Sequence, residues 1–322
     1  AFAYPDRIAQ RRPGGDPRYL LANGSGASLN ENDPLAGEPY LVVADLGGHG
    51  TEPRIFSALP VLLDEIKDIF NAAITVETGI KWDRKTDSVL ALCQEMLGAL
   101  ALTSSPVKNP DSEIIQKAFL VGIRQKGIKA FTWTKDAINL RQRIAFLHLH
   151  DPDNGWPDMS DKGLLDDLEN WVSPYINGMV KLSHLGQLDL ENTLLNQLDW
   201  DKQQLLSKLA PTHMLVPSGS HIRIDYTPLE APVLPVKLQE MFGATTTPTI
   251  LNGKIKLTLH LLSPPGRPLQ VTQDLPAFWA NAYNHVKAEM KGRYPKHPWP
   301  DDPTTAVATA KTKRFLEKKP RP

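Results

Sequence analysis

The chain has 322 residues, 41% of them apolar and 22% charged, which is enough for two or three domains with cores of their own. Its 36 Lys and Arg balance 36 Asp and Glu, so net charge selects no polyanion and no membrane surface as partner. One cysteine, Cys93, excludes an internal disulfide and suits a reducing compartment, which points to the cytoplasm. No run of about 18 apolar residues is present to span a membrane. The opening AFAYPDRIAQRR has neither an initiator Met nor the apolar core of a signal peptide, and reads as a segment of a longer protein.

The first hundred residues read as β-structure. RYLLANGSGASL turns at Asn23-Gly24 and predicts a hairpin. EPYLVVADLGGHGT and EPRIFSALP predict two further strands. PVLLDEIKDIF then places Leu62, Leu63, Ile66, Ile69 and Phe70 at helical spacing behind Pro60. AITVETGIKWD and SVLALCQEMLGALALTSSP return to strands. About five strands with one helix between the third and fourth is the order of an OB-fold, a small Greek-key barrel.

Helices follow. NPDSEIIQKAFLVGIRQKG has a cap at Asp111 or Ser112 and ends at Gly127. In TWTKDAINLRQRIAFLHLHDP, Thr134 is the cap, and Ile138, Arg141, Ala145 and His148 form a mixed face. WPDMSDKGLLDDLENWVSP and LLNQLDWDKQQLLSKL predict two more helices, stopped by Pro174 and Pro211. Strands resume with SHIRIDY. TPTILNGKIKLTLHLL predicts a hairpin turning at Asn252-Gly253, with Ile255, Leu257, Leu259 and Leu261 on one face. DLPAFWANAYNHVKAEMKG predicts a last helix, its inner face lined by Trp279, Ala282 or Tyr283, Val286 and Met290, ending at Gly292. The fold class is therefore α+β. It comprises an OB-fold-like barrel over residues 1–106, a helical connector over 107–158, and a mixed C-terminal domain with antiparallel hairpins over 159–322.

The charge is uneven. Residues 151–201 hold eleven acids and two bases, and residues 287–322 hold ten bases and four acids. Opposite solvated faces explain the split, and so does one end built for a polyanion. Nothing in the sequence assembles a catalytic centre. There is no P-loop. NGSGASL has Leu29 where a dinucleotide fingerprint needs a third glycine. Ser218 and Ser220 beside His221 lie outside any nucleophile elbow. His148 and His150 diverge on a helix and do not make a metal site. Arg7, Arg11, Arg12 and Arg18, with Tyr4 and Tyr19 among them, lie in or beside the first barrel strand. On a barrel of this kind they are candidates to track a phosphate backbone and stack on bases; a solvated rim is the plain alternative. The tail, with Lys311, Lys313, Arg314, Lys318, Lys319 and Arg321, is a solubilising segment or an electrostatic arm. MKGRYPKHPWPDDP, with Pro295, Pro298, Pro300 and Pro303, predicts an extended strap anchored by Tyr294 and Trp299. Arg293, Lys296 and His297 on its outer side are further candidates for RNA or protein contact.

Taken together, AFAYPDRIAQRR, YLLANGSGASL with YLVVADL, VPSGSHIRIDY, PVLPVKLQEMFG, LHLLSPPGRPLQVTQDLPAFW and MKGRYPKHPWPDDP resemble the C-terminal portion of bacterial HrpB-type DEAH-box ATP-dependent RNA helicases. The resemblance is densest over residues 1–60 and 210–305. It implies two RecA-like motor domains, winged-helix and helical-bundle domains, an OB-fold and a long C-terminal extension. The family's catalytic residues, and the ATP and Mg they use, carry over onto nothing in these 322 residues, so no cofactor is expected here. What carries over is an accessory role. On this reading the barrel helps to hold single-stranded RNA or to regulate the helicase core, with Arg7, Arg11, Arg12 and Arg18 as RNA-facing residues. The competing reading is a protein-interaction module that docks a partner or the core without touching RNA.

Overall fold

A computed structural model describes residues 5–14, 16–48 and 52–316. The chain divides into two compact units, Ala1–Gln125 with Asn177–Leu182, and Lys126–Ile176 with Ser183–Pro322. The expected boundary at 106 falls inside the first unit, and the one at 158 inside the second.

The first unit opens with a closed barrel of five short strands, β1 (Ile8–Arg11), β2 (Arg18–Leu21), β3 (Gly26–Ser28), β4 (Tyr40–Gly47) and β5 (Arg54–Pro60). Their order is β1-β2-β3-β5-β4, closed by antiparallel pairing of β1 with β4. One contact, β3 with β5, is parallel, at Ser28 and Arg54. Alternation sorts the side chains. Ala9, Tyr19, Leu21, Ala27, Leu41, Val43 and Ile55 fill the interior. Ile8, Ala22 and Tyr40 face outward into a second core with Ile66, Phe70, Leu97, Leu100 and Leu102. That second core seats α1 (Leu63–Phe70) and an antiparallel meander of β6 (Ile74–Asp83), β7 (Ser88–Leu97) and β8 (Leu100–Pro106) against the barrel wall.

This corrects the expected strand assignment. The barrel closes within Ile8–Pro60, α1 follows its fifth strand, and 74–106 form a separate sheet. The reason is local. β6 and β7 pair along ten residues and β7 turns into β8 at Gly98, so each strand finds its neighbour in sequence. In α1, Glu65 accepts the Leu62 N–H at 2.9 Å, satisfying one orphan donor of the first turn. Next, α2 (Ser112–Lys126) lays Phe119 and Gly122 against Trp82 of β6. Residues 177–182 return to this unit, with Val89 N–H donating to Val180 O at 2.7 Å.

The second unit is organised on α3 (Lys135–His150), capped by Thr134 Oγ1 accepting from Ala137 N–H at 3.1 Å. Its buried face is Ala137, Leu140, Arg143, Ile144 and Leu147. The predicted mixed face, Ile138, Arg141, Ala145 and His148, lines a cleft instead. Two predicted helices are each broken. The first becomes α4 (Asp161–Asp166) and α5 (Leu168–Trp171); the second becomes α6 (Leu190–Leu195) and α7 (Trp200–Leu209). In the second case Asp199 accepts from Lys202 N–H at 2.8 Å and starts a new helix, because an aspartate cap competes with helix continuation.

Strands β9 (His213–Leu215) and β10 (His221–Arg223) form a small hairpin, and β11 (Val233–Lys237) follows. The predicted 249–262 hairpin is split. β12 (Thr249–Ile250) and β13 (Ile255–Lys256) pair across a four-residue loop with Leu251, Asn252 and Gly253 all at positive φ. β14 (Thr258–Leu262) leaves them to lie parallel to β11 and antiparallel to β15 (Pro268–Thr272). The alternation of Leu257, Leu259 and Leu261 holds, and all three are buried. The last predicted helix is two, α8 (Leu275–Asn281) and α9 (Tyr283–Arg293), with the break at Ala282. Trp279 and Tyr283, on either side of the break, both pack on Phe242.

The proline-rich segment lies over this unit. Trp299 is 6% exposed and its indole donates to Tyr294 O at 3.0 Å. Tyr283 Oη donates to Pro300 O at 2.9 Å, Gly243 N–H to Pro303 O at 2.9 Å, and Lys287 pairs with Asp301.

Candidate nucleic-acid interface on the barrel

Two connections meet at one edge of the barrel: β1 to β2, and β4 to β5. Glu52, from the second, receives Arg12 Nη1 at 3.3 Å and lies 3.8 Å from Arg18 Nε, from the first. Arg18 also lies 3.8 Å from Asp16. The Arg12–Glu52 pair crosses β3 where the chain has no side chain. A Cβ on Gly26 would sit 3.0 Å from Arg12 Nη2 and 3.2 Å from Glu52 Cγ. Register extends the charge across three strands. Arg18 on β2 pairs with Ser28 on β3, and Ser28 pairs with Arg54 on β5. Arg54 is exposed and forms no ion pair among the described residues. Two residues along the same face, Phe56 is 62% exposed, its ring lying where a Cβ on Gly47 would come within 2.5 Å. The result is an outward surface of guanidinium groups beside one exposed aromatic ring.

The four predicted arginines do not share this surface. Arg12 and Arg18 do. Arg11 pairs in register with Tyr19, an interior residue, and so takes the inward side of β1. Burial pushes the Tyr19 phenol above its ordinary value, and the neighbouring Arg11 guanidinium pulls the other way. Tyr19 is committed to the barrel mouth, its Oη within 2.8 Å of Leu35 O and 3.0 Å of Glu38 O, so it does not stack on a ligand. Arg7 precedes β1, at the opposite end of the strand from Arg12. Tyr4 lies outside the described residues, as do Lys318, Lys319 and Arg321. Arg293 and Lys296 belong to the second unit. Arg293 lies 3.8 Å from Glu289 on the same helix, and Lys296 is exposed.

Arg54 and Phe56 were missed by sequence reading. Their signal was present in EPRIFSALP, where Arg54 and Phe56 alternate with the buried Ile55, but the segment reads simply as an apolar strand. Among the described residues no group of three His, Cys, Asp or Glu side chains is placed to hold a metal, and no helix is long and apolar enough to cross a membrane.

Comparison with known proteins finds several that the chain resembles. Residues 171–303 match the family model described as the HrpB-type ATP-dependent helicase C-terminal domain. Over 317 residues the chain is 41% identical to the ATP-dependent RNA helicase HrpB of Escherichia coli K12, an alignment that takes in 98% of the chain and 39% of that relative. Two solved structures agree. The E. coli DExH-box NTPase HrpB matches with a TM-score of 0.63 and 41% identity, over 96% of this chain and 38% of that one. The E. coli DEAH/RHA helicase HrpB matches with a TM-score of 0.54 and 37% identity, over 92% and 37%. The chain therefore spans about two fifths of the length of the relatives it matches.

Proposed function

We propose that this chain, the C-terminal region of an HrpB-type helicase, serves as an accessory element that holds single-stranded RNA for a motor located elsewhere in the parent protein. ATP and Mg belong to that motor. One observation carries the reading: Arg12, Arg18, Arg54 and the exposed Phe56 converge on the outer face of β2, β3 and β5, where the β1–β2 and β4–β5 connections meet. We read the barrel as an OB-fold from its strand order and its parallel β3–β5 contact. In that fold this face and these connections bind oligonucleotides. Cations there track phosphates, and an exposed ring offers a stacking platform that tolerates any base.

The test is a fluorescence-anisotropy titration of the chain with single-stranded RNA at two salt concentrations. Each phosphate neutralised adds about 0.7 to the slope of log affinity against log salt. Arg18→Ala with Arg54→Ala therefore lowers the slope by about 1.4, and Phe56→Ala costs about 1–3 kcal/mol of affinity. An affinity and slope unchanged in both variants refutes the reading.

A second reading, docking of a protein partner, rests on a different feature. Ile128, Trp133, Ile138, Met159 and Leu229 line a cleft of about 630 Å³ along α3, with Arg141 and Asp158 also in its wall. An apolar segment suits it. Co-purification that survives high salt and nuclease, and is lost in Ile138→Asp, supports this reading over the first.

A further inference from the structure

The second unit contains an arginine that spends one side of its guanidinium on the protein and leaves the other open. Arg143 of α3 is 8% exposed; among the described residues no carboxylate comes within ion-pair distance, and Glu191 of α6 acts on it only at longer range. Its Nε donates to Ala210 O at 2.6 Å and its Nη2 to Leu206 O at 3.4 Å, which caps the carbonyl end of α7. Those two bonds use one side of the guanidinium fork. Nη1 donates to no group among the described residues and is not one of the enclosed polar atoms left without a partner, so it stays open to solvent and to a ligand.

Arg143 lines a cleft of about 480 Å³ together with Ser207, Thr212, His213 and His221, with Pro211 between them. The register of β9 and β10, His213 opposite Arg223 and His221 opposite Leu215, sets both imidazoles on one face of the hairpin. His213 Nδ1 lies 3.0 Å from Thr212 Oγ1, and Ser207 Oγ donates to Gln203 O at 3.3 Å. When the Thr212 hydroxyl donates to Nδ1, the ring proton sits on Nε2 and is free for a ligand. No Asp or Glu lines the cleft. Three elements thus present a guanidinium, two imidazoles and hydroxyl groups around one space, with no carboxylate among them.

We propose that this cleft is a binding site for a phosphate group, free or at the end of a monoester, with Arg143 as its fixed anchor and His213 and His221 as its outer donors. A tetrahedral dianion accepts hydrogen bonds in several directions at once, which fits donors arriving from α3 and from the β9–β10 hairpin. A guanidinium already held by two carbonyls loses little freedom on binding. The site lies in the second unit and does not depend on the barrel reading. Free phosphate and the phosphorylated end of an oligonucleotide share this chemistry.

Isothermal titration of the full chain with inorganic phosphate tests the site. Saturable one-to-one binding is expected, and His213→Ala with His221→Ala weakens it about tenfold for each charge-assisted bond removed. Arg18→Ala with Arg54→Ala leaves it unchanged, so failure here and failure of the barrel reading are told apart. Arg143→Gln abolishes binding where the variant keeps the wild-type circular dichroism; where it does not fold, the histidine pair decides. No saturable phosphate binding, or wild-type affinity in the histidine double variant, overturns the proposal. Preference for a 5′-phosphorylated oligoribonucleotide over its 5′-hydroxyl twin assigns the site to a nucleic-acid end, and equal binding of the two assigns it to free phosphate.

Discussion

Replacing Gly122 by alanine sets two opposed energies against each other. In the interior of a helix, alanine is favoured over glycine by about 0.8–1 kcal/mol, so on propensity alone the change to α2 is stabilising. The packing argues the other way. A Cβ at position 122 would lie 2.4 Å from Trp82 Cδ2 and 2.5 Å from both Cε2 and Cε3. These are atoms of the fused ring system, so the whole indole has to move. Overpacking of this kind costs about 1–3 kcal/mol. Displacing Trp82 also disturbs its tilted contact with Phe119, at 6.1 Å between centroids, a pair of a type that contributes about 0.5–1.5 kcal/mol. Clash wins over propensity, and Gly122→Ala destabilises the first unit by about 1–3 kcal/mol. Urea unfolding followed by circular dichroism measures it. The decisive control is Trp82→Leu, which removes the obstacle: in that background Gly122→Ala returns to its ordinary helix-stabilising sign, and the double-mutant cycle shows a coupling of more than about 1 kcal/mol. A stabilising Gly122→Ala in the wild-type chain, or additive effects in the cycle, refutes the reasoning.

Other expectations bear on the site, the strap and pH. Glu52→Gln frees Arg12 and Arg18 from their shared carboxylate, raises RNA affinity and steepens the salt slope by about 0.7 for each further phosphate neutralised; weaker binding in anisotropy would show that Glu52 organises the surface instead of masking it. Trp299→Ala, which deletes a side chain 6% exposed and its bond to Tyr294 O, costs about 3–5 kcal/mol in thermal or urea unfolding. A loss under about 1 kcal/mol would mean the strap is not seated. Gly98→Ala combines a φ of +56° with a Cβ 2.1 Å from Ala22 O, so the β7–β8 turn has to reorganise and unfolding shifts to lower urea. Burial raises the phenols of Tyr226 and Tyr283 well above their ordinary value. Groups raised in the folded state lend stability that is full below the unfolded tyrosine value of about 10 and is lost as pH rises above it. Phenolate absorbance should therefore lag in the native protein and jump with unfolding, and early titration of all tyrosines would contradict the burial.

Much of the secondary structure was legible because its causes are local. Thr134 caps α3 as its position before an apolar-periodic run predicts, and the spacing of Ile115, Phe119 and Ile123 buries one side of α2. Leu257, Leu259 and Leu261 alternate inward as the sequence demands. Of the three predicted helices that broke, one did so where Asp199 caps a new start and another where Trp279 and Tyr283 both pack on Phe242, the first a capping preference readable after the fact, the second a contact far along the chain. At the candidate interface Arg7, Arg11, Arg12 and Arg18 were named together, because only the register of Arg11 with Tyr19 shows which way Arg11 points.

By itself, then, the sequence determined what each segment can be: its period, its caps, its turns, the uneven charge and the resemblance that marks the lineage. Tertiary structure alone decided which strands share a sheet and which side chains share a surface. The barrel closes through β1 with β4 and β3 with β5, pairings between segments separated by about 25–35 residues, and β14 leaves its neighbour in sequence for β11. Long-range partners are chosen by the burial they complete, and not by any property of either segment alone. That is why Arg18, Ser28 and Arg54 form one row, and Arg143, His213 and His221 one cleft, although nothing in their spacing announces either.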